Sequence, residues 1–268
     1  MSSWKTEWIE SKPRIAMDCM GQGPLVVFMH GIGGNRTNWH DQLPAFAARF
    51  KAVAWDAPGY GQSDDYEGVL DYDDFCADLR RLIDHFGVAK AHLVGLSMGG
   101  SIAQDFYAKH PERVASMVLA DTRPGHEAAF DQKAREEFIR LRVKPLQEGK
   151  APKDMAPAVA RSLMGPNAGD RVYQRLVDSM AVLHKDSYIK AIEARTTWKP
   201  SFVPAKVTVP TLVVVGADDK LTPPAMSKTI ADAIPGARLA VIEDCGHLSN
   251  IEKPAEFNRI VLDFLTSQ

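Results

Sequence analysis

Ser97 stands in Gly95-Leu96-Ser97-Met98-Gly99, with Gly100 behind it, a setting that could turn an ordinary hydroxyl into a nucleophile. A serine hydroxyl reacts poorly near neutral pH, so it needs a base within hydrogen-bond reach and a third group to orient that base. Of the eight histidines, His247 has the best placement. It lies in Asp244-Cys245-Gly246-His247-Leu248-Ser249-Asn250, a loop between the last apolar run and the last helical segment. The acid is expected in a loop that follows a strand. Gly216-Ala217-Asp218-Asp219 offers two adjacent aspartates, and Asp121 is a third option. Negative charge developing on a carbonyl oxygen also needs fixed donors. His30-Gly31-Ile32-Gly33-Gly34 is a turn where backbone N–H groups can converge, which nominates the N–H of Ile32 together with that of Met98. The same glycine cluster lacks the spacing and the Lys-Ser/Thr ending of nucleotide-phosphate loops.

The remaining histidines fit bland roles. His40, His85, His92, His110 and His184 fall on helix faces, helix ends, a strand or a helical insertion. His30, at a strand end, and His126 are kept as substrate contacts, with Arg123 beside the latter. Arg123, Arg135, Arg140, Arg142 and Arg161 all lie in one helical stretch where an arginine could clamp a substrate carboxylate. Most arginines on helices are simply solvated.

These residues need elements to bring them together. Apolar runs at 25–30, 52–56, 91–96, 114–120, 211–215 and 239–242 read as buried strands, with helical patterns at 40–49, 72–86, after Ser97, and at 254–265. Strands that are apolar throughout, rather than alternating, fit a parallel sheet covered on both faces. That predicts an α/β fold with a mostly parallel central sheet flanked by helices, and with Ser97 and His247 at its carboxyl edge. The stretch 4–20 alternates and should add one or two antiparallel edge strands. Residues 123–203 carry no convincing strand and are broken by Pro145, Pro152, Pro157 and Pro166. The expected organisation is therefore a core of 1–122 and 204–268 interrupted by a helical cap at 123–203.

The 268 residues are 45% hydrophobic and 25% charged, the balance of a globular protein. A net charge of -2 gives no reason to expect nucleic acid or an anionic membrane as partner. Cys19, Cys76 and Cys245 are far apart, with no metal-ligand spacing, which suits a reducing compartment. The amino-terminal residues lack an apolar signal core and no stretch approaches a membrane span, so a cytoplasmic location is expected.

Taken in chain order, five segments resemble the α/β-hydrolase superfamily: His30-Gly31-Ile32-Gly33-Gly34, Asp56-Ala57-Pro58-Gly59-Tyr60-Gly61-Gln62-Ser63, Gly95-Leu96-Ser97-Met98-Gly99-Gly100, Gly216-Ala217-Asp218-Asp219 with Thr222-Pro223, and Gly246-His247. The resemblance implies the α/β-hydrolase fold with a helical cap insertion. It assigns the acid to Asp219 and implies neither a metal nor an organic cofactor. Ser97 separates the chain from haloalkane dehalogenases and epoxide hydrolases, which carry aspartate at that turn. The chain looks most like the group of 3-oxoadipate enol-lactonases, small carboxylesterases and cofactor-free haloperoxidases. It lacks the arginine that enol-lactonases usually carry before Gly59, and Ile32-Gly33-Gly34 is not the Ser-Gly-Pro-Gly type of loop usual in meta-cleavage-product hydrolases. The expectation is a serine hydrolase that opens a small carboxylic ester or lactone through an acyl-enzyme on Ser97. The alternatives are C–C bond hydrolysis of a vinylogous diketone and a ligand receptor that retains the fold with slow turnover.

Overall fold

The structure is a computed structural model that describes residues 3–125 and 132–268. Eight strands form one sheet: β1 (Lys5–Ile9), β2 (Ile15–Met20), β3 (Leu25–Met29), β4 (Lys51–Trp55), β5 (Ala91–Leu96), β6 (Val114–Ala120), β7 (Thr211–Gly216) and β8 (Arg238–Ile242). Their order is β1-β2-β4-β3-β5-β6-β7-β8. β1 pairs antiparallel with β2, and β2 with β4, whereas every other pair is parallel. The alternating amino-terminal stretch thus supplies both antiparallel strands.

The apolar strands β3 to β7 bury both faces because successive side chains point to opposite sides. β8, expected from its apolar run to be buried, is instead an edge strand that leaves Leu239 and Val241 exposed. Val27, Met29, Val53, Leu93, Met117 and Val213 enter a layer with Phe75, Leu79 and Leu82 of α2 (Tyr72–His85) and Ile102 and Phe106 of α3 (Met98–Lys109). Val26, Phe28, Ala54, Val94, Val118 and Val214 face the other way, onto Phe46 of α1 (Leu43–Phe46) and Phe257, Val261 and Phe264 of the final helix, Pro254–Thr266. Phe28 is fully buried between Trp39 and Phe46, and its loss would cost about 3–5 kcal/mol. The start of α2 is fixed by Asp71, whose side chain accepts the Asp73 N–H at 3.0 Å while Asp74 accepts the Asp71 N–H at 2.8 Å.

The chain leaves the sheet after Ala120 and returns at Thr211. Between these points lie α4 (Gln132–Arg142), α5 (Lys144–Gln147), α6 (Pro152–Leu163), α7 (Asp170–Ala181) and α8 (Lys185–Thr197), with no strand among the described residues. After β7 come α9 (Pro224–Ala233), β8, the short α10 (Ser249–Glu252) and the final helix, α11. α9 has no counterpart in the sequence reading.

The helix expected at 40–49 is also different. A 3-10 turn at Arg36–Trp39 precedes a single helical turn, α1. Asn35 starts the first turn early by accepting the Thr37 N–H at 2.9 Å. Pro44 has no N–H to give to His40, which disfavours a continuous helix through 40–49.

Candidate active site

Sheet topology brings the first two pieces of the site together. β3 and β5 are adjacent in the sheet although β4 lies between them in sequence, and Met29 is in register with Gly95. This is the point where strand order reverses, and the loops after the two strands open side by side at the carboxyl edge. Ser97 occupies the tight turn between β5 and α3 with φ 54° and ψ -111°. A non-glycine residue held at positive φ costs on the order of 1–3 kcal/mol unless its surroundings enforce it. Here they do. The Ser97 N–H donates to Ala120 O at 2.9 Å, and Ser97 O accepts from Ser101 N at 3.1 Å and Thr122 Oγ1 at 2.7 Å. The flanking glycines are steric requirements: a Cβ on Gly95 would lie 2.3 Å from Gly99 O, and one on Gly99 would lie 2.2 Å from Met29 O.

His247 Nε2 lies 3.0 Å from Ser97 Oγ, and His247 Nδ1 lies 2.8 Å from Asp219 Oδ2. Because the carboxylate can only accept, Nδ1 carries the proton and Nε2 is left as an acceptor for the serine hydroxyl. Of the aspartates considered, Asp219 makes this contact. Asp218 is directed elsewhere, while its backbone N–H ties the turn to Cys245 O at 2.8 Å. The Asp219 carboxylate also accepts the N–H of Leu221 at 2.8 Å, the N–H of Thr222 at 2.9 Å and the Thr222 hydroxyl at 2.6 Å. Burial works to raise its pKa, but the hydrogen bonds from His247 and Thr222 outweigh it and hold the carboxyl below its ordinary value. Burial likewise works to lower His247, yet the hydrogen bond and charge of Asp219 leave it raised above the usual 6.5.

Two further carboxylates hold the histidine loop, and neither was assigned that task from the sequence. Asp121 accepts the Gly216 N–H at 2.9 Å with one oxygen and the Ser249 hydroxyl at 2.5 Å with the other. It therefore joins the strand leading to Asp219 with the loop carrying His247. Glu252 Oε2 accepts two backbone groups, Gly165 N–H at 3.0 Å and Gly246 N–H at 3.1 Å. Gly165 belongs to the turn between α6 and α7, and Leu163 O, at the last residue of α6, accepts the His247 N–H at 2.8 Å. Asn167 adds a bond to Asp244 at 2.6 Å. No residue pattern could have flagged Glu252, since its partners are main-chain groups.

A cavity of about 120 Å³ opens over Ser97. That is comparable with the ~150 Å³ apolar cavity able to hold benzene, so it admits a small acyl or alcohol group. The core supplies Ile32, Met98, Leu248 and Leu96; the helical segment supplies Phe138, Val159, Leu163, Leu176, Met180 and Tyr188. Met98 is the first residue of α3, so its N–H has no acceptor within the helix. Ile32 N–H likewise meets no protein acceptor among the described residues. Both residues line the cavity beside Ser97.

His30 also lines the cavity, but both its ring nitrogens are occupied. Nδ1 donates to Gly31 O at 2.8 Å and Nε2 accepts the Ala57 N–H at 3.1 Å. Burial lowers its pKa, so the ring is neutral and offers a substrate only its apolar surface. Arg123 lines the cavity, whereas His126 lies outside the described residues. Of the other arginines considered, Arg142 lines the cavity. Arg135 and Arg161 are exposed, the latter stacked 4.5 Å from the Tyr173 ring, and Arg140 pairs with Glu137 on the surface. Arg195, which the sequence did not single out, is a buried member of the same wall. No group of three or more His, Cys, Asp or Glu side chains among the described residues could hold a metal ion, and no described helix is long and apolar enough to cross a membrane.

Known proteins share this arrangement of elements. A hydrolase for 2-hydroxy-6-oxononadienedioate and 2-hydroxy-6-oxononatrienedioate from Escherichia coli is 30% identical over 266 residues, covering 94% of this chain and 91% of its own. A thermophilic esterase from Thermogutta terrifontis superposes with a TM-score of 0.87 at 27% identity, covering 99% of each chain. An enol-lactonase from Burkholderia xenovorans LB400 superposes with a TM-score of 0.86 at 26% identity, covering 97% of this chain and 100% of its own. The profile of the alpha/beta hydrolase fold family matches residues 24–254. With its eight-stranded, mostly parallel sheet and the serine turn at its carboxyl edge, the chain belongs to the α/β-hydrolase family.

Proposed function

We propose that the protein is a serine hydrolase that cleaves a small carboxylic ester or lactone. The observation that carries this reading is the hydrogen-bonded line Ser97 Oγ, His247 Nε2, His247 Nδ1, Asp219 Oδ2, at 3.0 and 2.8 Å. His247 takes the proton as Ser97 Oγ attacks the substrate carbonyl. Asp219 fixes the tautomer and stabilises the imidazolium that forms. The N–H groups of Ile32 and Met98 receive the oxyanion. His247 then protonates the departing alcohol, and a water activated by the same imidazole releases the acid from Ser97. In this reading α4 to α8 are the cap, because they supply half of the apolar side chains that line the cavity above the nucleophile. The three cysteines are unpaired and buried, which supports a cytoplasmic setting.

Ser97→Ala tests the assignment. Turnover of a short p-nitrophenyl ester should fall at least about a thousandfold while the fold is retained, and covalent labelling by a fluorophosphonate should disappear. Near-normal turnover in that variant would overturn the assignment. A second reading, hydrolysis of a C–C bond next to a vinylogous ketone, draws support from the likeness to the Escherichia coli hydrolase. Parallel assays on an ester, a lactone and a vinylogous diketone decide between them, the ester or lactone being turned over faster if the first reading holds.

A further inference from the structure

Among the described residues, the buried and partly buried arginines outside the cavity follow a consistent rule. Arg36 pairs with Asp18 and Asp56, Arg81 with Asp78, Arg113 with Asp84 and Arg175 with Asp41. Each of these side chains is 24% exposed or less. Removing a guanidinium from water is costly, and a nearby carboxylate offsets that cost. Arg142 breaks the rule. It is half-buried at the carboxyl end of α4 and lines the cavity that contains Ser97, yet it has no ion pair among the described residues. Its charge is felt inside the site, where it works to lower the pKa of His247. Arg123 and Arg195 lie in the same wall, and the described lining contains no Asp or Glu side chain. Among the described residues the cavity is therefore a small, mainly apolar space lined by guanidinium groups and by no carboxylate.

We infer that Arg142 is a specificity-determining residue that binds a carboxylate carried by the substrate at a distance from the bond to be cleaved. The natural substrate is then an anionic ester or lactone, an inference that rests on the serine-hydrolase reading. A planar carboxylate matches the two parallel N–H donors of a guanidinium and completes the ion pair that the free protein leaves open. The second charge and greater bulk of a phosphate suit this narrow space less well. The ion pair forms in both the bound ground state and the transition state, so it acts mainly through KM.

Two matched pairs of model substrates test this. One places the charge on the acyl side, as the mono-p-nitrophenyl ester of adipic acid against that of adipamic acid. The other places it on the alcohol side, as 4-acetoxybenzoate against 4-acetoxybenzamide. The wild-type protein should prefer the anionic member of at least one pair by about tenfold or more in kcat/KM, chiefly through a lower KM. Arg142→Gln should bring that ratio to within about threefold of one, and Arg142→Lys should retain part of it because the charge persists. A ratio near one in both pairs for the wild-type protein overturns the inference, as does a preference that survives Arg142→Gln unchanged. The wild-type comparison needs no variant, so a misfolded Arg142→Gln protein does not rescue the idea. Fluorophosphonate labelling keeps the two readings apart. A protein that labels at Ser97 but ignores substrate charge defeats only the carboxylate site, whereas one that neither labels nor cleaves either pair defeats the hydrolase reading and this inference with it.

Discussion

Replacing Asp121 with asparagine isolates the energetics of a carboxyl sealed beneath the histidine loop. Asp121 is completely buried. Burial is the largest influence on its protonation and raises it. The charge of Asp219 pushes the same way, against the opposing effects of His247 and the bonds from Ser249 and Gly216, and the carboxyl is pushed up to about 7. In the unfolded chain the same group titrates near 4. A folded-state value above the unfolded one means that the fold holds the proton more tightly. Its stabilising contribution is therefore fully present below about pH 4 and is lost as pH rises through about 7. The whole loss is roughly 4 kcal/mol, of which about 2–3 kcal/mol falls between pH 5 and pH 8. Asp121→Asn cannot ionise and escapes this dependence. Its unfolding free energy minus that of the wild type should thus rise by about 2–3 kcal/mol across that interval, whatever its offset at pH 5. Urea denaturation of both proteins at unit steps of pH measures the difference. A difference that stays flat from pH 5 to pH 8 would refute the reasoning, because it would mean that Asp121 titrates as an ordinary carboxyl.

Three other outcomes follow from the same contacts. With His247 as the proposed base, which must be neutral to act and which Asp219 raises, the acid limb of kcat/KM should lie above pH 6.5. Asp219→Asn should move that limb to lower pH while cutting kcat by roughly 10³–10⁴-fold, and a pH–rate profile reads both effects. Glu252→Ala deprives the N–H groups of Gly165 and Gly246 of their acceptor, at about 1–3 kcal/mol for each group left unsatisfied. Thermal melting should drop by several degrees and kcat should fall with it, because Gly246 adjoins His247; an unchanged melt and an unchanged kcat would contradict this. Thr222→Val removes the shortest bond to Asp219, and a loss of about 1.5–3 kcal/mol in stability is expected by denaturant titration.

The sheet was readable because its parallel strands are apolar on both faces, and β5 and β6 begin and end where their apolar runs do. The segment around α1 was misread because hydrophobic spacing hid Pro44, whose missing N–H divides what would otherwise be one helix. Ser97 and His247 were legible since each lies between a strand and a helix, a position that the order of apolar runs and glycines reveals. The choice between Asp218 and Asp219 was not available from residue type. It depends on which side chain the turn directs inward, and the N–H groups of Leu221 and Thr222 fix that by wrapping one carboxylate. Arg142 was one of five arginines in one helical stretch, and only its place on the side of α4 that lines the cavity separates it from the exposed Arg135 and Arg140 of the same helix.

The bonds from Leu163 O to His247 N–H and from Gly165 N–H to Glu252 also bear on how this architecture can be recombined. Helical insertions are the obvious units to exchange between related enzymes when a new specificity is wanted. Here the turn between α6 and α7 is part of the scaffold that holds the imidazole, although in sequence it lies deep inside the exchangeable unit. A chimera that imports a foreign insertion between β6 and β7 must reproduce a carbonyl facing His247 N–H and a donor facing Glu252, or it will change specificity and disarm the base in one step. The better graft boundaries fall inside α6 and α7, leaving 163–169 with the recipient.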